Sequence, residues 1–284
     1  MTADREQLKK WIGERETDVD YVTVPAVHRL AATLDLDYPM PKMGDPLPVG
    51  WYTIFFPRVV RQSQVGPDGH PARGDFLPPV PLPRRMFAGR RVRFADDLRV
   101  GDEVRRVSVI KGVSIKQGRT GQMVFVTVQT DISSPRGVAV TEEQDIVYRE
   151  APEPGAAPPP PQAAPGKAAW KNVVTPDPVM LFRYSAVTFN GHRIHYDHPY
   201  VTGTEGYPGL VMNGGLTTLL AVELARALGP APLVFVASRN VRPMFANRPI
   251  TFCGEPSPDG KTAKLWAQDD TGAVALTADA EFKS

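Results

Sequence analysis

The chain has 284 residues, 42% of them hydrophobic, and its 33 Lys and Arg against 31 Asp and Glu leave a formal net charge of +2. That balance, with no Lys/Arg block, gives no electrostatic footprint for nucleic acid or a membrane surface; a few basic side chains gripping a small anion stay compatible. The single cysteine, Cys253, excludes an intrachain disulfide and a cysteine-built metal cage, and with no signal peptide and no apolar run near ~18 residues the expectation is a soluble cytoplasmic protein.

The length exceeds the usual single core, so two domains of roughly 130 residues are expected. In the first half, residues 24–36 read as a helix and 51–56 as an apolar run, with strands at 91–94, 103–110, 123–130 and 144–148. Residues 151–169 are rich in proline and alanine. Proline fixes φ and lacks an N–H, so this stretch can join neither ladder nor helix and is expected to run as an extended polyproline linker. It divides an N-terminal domain, 1–150, from a C-terminal domain, 170–284.

After residues 181–188 comes Phe189-Asn190-Gly191-His192-Arg193-Ile194-His195-Tyr196-Asp197, which concentrates two imidazoles, a carboxamide, a guanidinium, a phenol and a carboxylate in one stretch. Histidine is the side chain whose ordinary pKa lies near neutrality, so His192 and His195 are the natural proton carriers. Their spacing can place two imidazoles on one helical face for a metal, but Gly191 and the lack of a matching Glu-x-x-His favour no metal. Neither a Gly-x-Ser-x-Gly elbow nor a glycine-rich phosphate loop occurs. Residues 208–216 then read as a tight lead into a helix over 214–228. Asn213 is its N-cap, Leu216, Leu219, Leu220, Leu224, Ala227 and Leu228 share one face, and Gly229-Pro230 stops it.

Strand-like runs follow at 233–238, 250–253, 263–268 and 274–282. One long helix followed by antiparallel strands suggests a sheet wrapped around a helix, and the same order in both halves suggests a duplicated fold. Laying 31–37 on 186–192 puts Met40 opposite His195. On that alignment the N-terminal half lacks both histidines and serves as scaffold or substrate-binding half.

At these residues the chain resembles the MaoC-like hydratase and dehydratase family, whose members have the hotdog fold. The family pattern Asp-x-Asn-Pro-x-His falls on residues 190–195, and its later His-Gly falls on Asn213-Gly214. The string from Leu181 to Asp197 is similar to the subfamily of mesaconyl-C4-CoA hydratase, itaconyl-CoA hydratase and mitochondrial-type 3-hydroxyacyl-thioester dehydratase. Phe76 to Met86 resembles the N-terminal, dehydratase-like half of the same bacterial proteins. Asn190 stands where the wider family has an aspartate, and an amide cannot act as a base.

The resemblance implies an α+β double hotdog, two long helices each wrapped by an antiparallel sheet, with catalysis in the C-terminal half. It implies a hydro-lyase acting at the α,β double bond of an acyl-CoA, with itaconyl-CoA or mesaconyl-C4-CoA as substrate. Such chemistry needs a base for water, a proton for Cα and donors for charge on the thioester oxygen. His195 is then the principal acid/base, Asn190 holds the water or hydroxyl, His192 shares the proton work or orients the loop, and the Gly214 N–H receives the enolate oxygen. Arg183, Arg193, Tyr196 and Asn213 form the substrate-binding set. No cofactor is implied beyond the CoA of the substrate, and a homodimer is compatible. Two rivals stay open: a 3-hydroxyacyl-ACP dehydratase of fatty-acid or polyketide synthesis, and a non-catalytic thioester-binding subunit.

Overall fold

The computed structural model describes residues 5–36, 39–71, 76–118, 121–150 and 161–284. The first half runs α1 (Arg5–Lys9), β1 (Arg15–Tyr21), α2 (Val24–Leu34), β2 (Arg84–Phe94), β3 (Glu103–Gly118), β4 (Gly121–Ser134) and β5 (Gly137–Arg149). The second runs β6 (Trp170–Val174), α3 (Pro178–Val187), α4 (His198–Gly203), α5 (Gly214–Leu228), β7 (Leu233–Asn240), β8 (Ile250–Pro256), β9 (Thr262–Gln268) and β10 (Val274–Phe282). The linker residues 151–160 lie outside the described residues; 161–169 are irregular. Among the described residues no helix is long and apolar enough to cross a membrane.

All ten strands join one antiparallel sheet in the order β1-β3-β4-β5-β2-β7-β10-β9-β8-β6. The halves meet where β2 pairs with β7, Arg90 opposite Ser238 and Arg93 opposite Phe235. The main core is continuous across that seam: Trp51 and Val92 from one side share a cluster with Leu219, Val222 and Val236 from the other.

The two halves use their helices differently. α5 lies on β6, β7, β8, β9 and β10. Its Leu216, Leu219, Leu220 and Leu224 are buried, as the periodicity predicts, whereas Leu228 in the last turn is 49% exposed. α2 instead packs chiefly against α3 and a 3₁₀ turn, Trp51–Ile54. Among the described residues no helix as long as α5 lies on the face of β1 to β5, where only the short α1 meets β3. Residues 52–59 and 76–80 roof that face, leaving a cavity of about 930 Å³ lined by side chains from all five strands.

Candidate active site

The segment holding the two histidines is built from local hydrogen bonds. α3 starts on Asp177, whose side chain accepts from the Met180 N–H, and ends before Phe189 at φ 52°. Asn190 then turns the chain, its Oδ1 accepting the His192 N–H at 3.0 Å, an Asx turn that commits part of the amide to backbone. Residues Arg193–His195 form a 3₁₀ turn, and Asp197 caps α4 by accepting from the Tyr200 N–H.

His195 is 6% exposed. Its Nδ1 lies 2.7 Å from the Val211 carbonyl oxygen. A carbonyl only accepts, so Nδ1 carries the proton and Nε2 is left with a lone pair. The Val211 N–H in turn donates to the Ile194 carbonyl at 2.9 Å. These two bonds tie the histidine to the irregular segment leading into α5, three residues before Gly214. Burial lowers the His195 pKa from 6.5 to about 4, with the Val211 carbonyl opposing the shift. His192, its ring 5.4 Å away, is lowered to about 3 by burial and by the two neighbouring imidazoles. Both rings are neutral at pH 7.

The N-terminal half supplies a piece of this site that the sequence did not disclose. His70 stacks on His192 with ring centroids 3.9 Å apart, and its Nδ1 lies 3.0 Å from Asp68 Oδ2. The Arg193 N–H donates to the Asp68 carbonyl and the Arg193 guanidinium to the Pro67 carbonyl, both at 2.9 Å. At the contact a Cβ on Gly191 would sit 2.6 Å from the Gly69 carbonyl oxygen, so glycine is what lets the two loops touch. No local pattern around residues 66–71 signals this; it exists only once the halves are docked. The donor atoms of Asp68, His70 and His192 lie within 4.8 Å of one another, close enough to share a cation, and His195 is not in that group.

Gly214 opens α5, where backbone N–H groups have no intrahelical acceptor. A Cβ there would meet Asn240 Nδ2 at 3.1 Å, and one on Gly215 would meet the Tyr184 hydroxyl at 2.8 Å, so both side chains border the helix start. Asn213 occupies the N-cap position but does not cap: its side chain makes no capping hydrogen bond. Its Nδ2 points to Ser185 Oγ at 3.4 Å and its Oδ1 is buried without a partner. At ψ 127° the backbone suits a cap, but packing against α3 takes the amide elsewhere.

The remaining basic and aromatic candidates are spent differently. Arg183 is exposed on α3. Arg193 holds Asp197 at 2.8 Å and stacks over Tyr200. The Tyr196 hydroxyl donates to the Gly191 carbonyl at 2.7 Å. His192 and His195 thus stand together, Asn190 turning the chain into them, and His195 is tied to the segment that leads into α5; Arg193 and Tyr196 brace the loop that carries them.

The profile of the hydroxyacyl-thioester dehydratase type 2 family matches residues 50–246. Mesaconyl-C(4)-CoA hydratase of Chloroflexus aurantiacus is 44% identical over 272 residues, 96% of this chain and 96% of its own. A MaoC-like dehydratase of Phytophthora capsici superposes with a TM-score of 0.76 at 12% identity, covering 99% of this chain and 98% of its own. A Mycobacterium tuberculosis protein with a double hotdog fold gives 0.52 at 13% identity, covering 95% and 96%. These two likenesses establish the α+β double hotdog as the fold. Profile and sequence identity together go further: the chain belongs to the hydroxyacyl-thioester dehydratase type 2 family.

Proposed function

We propose that this protein is a hydro-lyase that adds water across the α,β double bond of a short dicarboxylyl-CoA such as mesaconyl-C4-CoA, and catalyses the reverse dehydration. The observation that carries the mechanism is the His195–Val211 hydrogen bond. It leaves the lone pair on Nε2 and ties the same ring to the chain leading into the α5 N-terminus.

In the hydration direction, His195 Nε2 takes a proton from water as the oxygen adds to Cβ. The π electrons move onto the thioester oxygen, where the Gly214 N–H and the positive end of α5 hold the charge. The proton on Nε2 then passes to Cα, which restores the carbonyl and the neutral histidine. Asn190 has one acceptor site committed to His192, and its NH2 group is the part that holds the incoming water. His192 is kept neutral and steadies the loop. No step calls for a cofactor; CoA is the handle on the acyl group.

The test is a panel of enoyl-CoA and 3-hydroxyacyl-CoA thioesters followed by the conjugated chromophore. The expected result is turnover of a dicarboxylyl-CoA and, for His195→Ala, a loss of ~100-fold or more in turnover with the fold retained. Near-normal turnover of that variant would remove His195 from the mechanism and favour a non-catalytic thioester-binding role for this half.

A further inference from the structure

Arg90 stands at the seam of the sheet, opposite Gln144 of β5 and Ser238 of β7. Its side chain is 21% exposed and that of Glu142 is 11% exposed, with Nε 3.1 Å from Glu142 Oε1. The angle does not make a hydrogen bond, and the Nε–H is buried with no acceptor. Glu142 is also held by the Tyr52 hydroxyl at 2.5 Å. A guanidinium has five N–H donors in a planar fork, so one imperfect ion pair leaves most of that capacity unused.

The position of this group matters as much as its charge. Arg90 and Tyr52 line the large N-terminal cavity and also a narrow crevice shared with Gly215 and Thr218 in the first turn or so of α5. Arg90 is therefore between the helix start and the cavity. A short acyl group held at Gly214 would meet Arg90 where its Cβ substituents turn towards that crevice, which Gly215 and Thr218 share with Arg90. The cavity beyond has a mixed wall: apolar side chains such as Phe55, Phe76 and Ile146 alternate with charged ones such as Asp18, Arg85 and Arg106, so a charged group on the acyl portion meets partners there.

We propose that Arg90, positioned by Glu142 and Tyr52, is the receptor for a free carboxylate on the acyl group and so selects dicarboxylyl thioesters over plain fatty-acyl ones. The inference rests on the hydro-lyase reading above and names the residue that sets its substrate class. A substrate carboxylate accepts from the guanidinium's terminal NH2 groups, while Glu142, beside the buried Nε, keeps the guanidinium from rotating away.

The experiment compares the full chain with Arg90→Gln and with Arg90→Gln/Glu142→Gln, which leaves no buried unpaired carboxylate if the single variant folds poorly. The readout is the ratio of kcat/KM for mesaconyl-C4-CoA to that for crotonyl-CoA, which lacks the carboxylate. Removing charge-assisted hydrogen bonds is expected to lower that ratio by roughly 10- to 100-fold in both variants. Succinyl-CoA is expected to lose its advantage over butyryl-CoA as a competitive inhibitor in parallel. An unchanged ratio in a folded variant overturns the assignment. So does wild-type turnover of crotonyl-CoA without any dicarboxylyl thioester, which leaves the hydro-lyase reading intact; a wild type that turns over no thioester of the panel sinks both.

Discussion

At the scale of the residue, His192 and His195 are two imidazoles that the fold keeps uncharged. Their pKa values, about 3 and about 4, lie below the ordinary 6.5 chiefly because burial penalises the imidazolium. The unfolded chain takes up protons near 6.5 that the folded chain refuses, so stability is full above that pH and falls as the pH drops towards 4. For His195 alone the linkage amounts to about 3 kcal/mol. Urea unfolding at intervals between pH 7 and pH 4 is expected to show this decline, and a His192→Asn/His195→Asn double variant a flatter one. A double variant as steep as the wild type would place the proton uptake elsewhere. The depressed carboxylates, such as Asp68 and Asp145, titrate below their ordinary 3.8 and so act under this window.

At the scale of the element, α5 does two jobs: its first turn faces the site and its third fastens the halves. Glu223, 6% exposed, accepts from Trp51 Nε1 at 2.7 Å and from Arg226 at 2.6 Å. Glu223→Ala removes an acceptor from a buried indole and a partner from a half-buried guanidinium, an expected cost of about 1–3 kcal/mol in urea unfolding. Glu223→Gln keeps an acceptor for Trp51 and is expected to cost less; equal losses would mean that the charge rather than the indole bond matters.

This helix was legible because leucines recur at its period and Gly229-Pro230 closes it. β1 was not, since Arg15–Tyr21 is polar almost throughout: an edge strand held through its backbone to β3 needs no apolar alternation. β6 escaped because it is an edge strand of only five residues next to the proline-rich stretch, and β2 begins seven residues earlier than expected because pairing with β5 through a bulge between Phe87 and Gly89 extends it. In the site, the histidines and Gly214 announced themselves by density and spacing. Asp68 and His70 did not, because they acquire their meaning from His192 and Arg193, distant in the chain; the proposed pair of Arg90 and Glu142 is likewise brought together only by the pairing of β2 with β5. The expected Asn213 cap fails likewise, a local preference overruled by a packed neighbour.

At the scale of the molecule, the sheet and core run unbroken from one half to the other. A chain cut within residues 151–160 is accordingly expected to stay together as two pieces and elute as one species in size-exclusion chromatography. Residues 161–284 alone would bare Leu219, Val222 and Val236, whose cover includes Trp51 and Val92. That fragment is expected to aggregate. A monodisperse, folded fragment would show that the seam is dispensable.

Where Gly69 meets Gly191 the two backbones leave no space for even a methyl group on either side. A shuffled gene that joined the first half of one ancestor to the second half of another would have to receive glycine from both parents at once. A chimaera missing either glycine is thus expected to fail at that contact however well its separate halves folded.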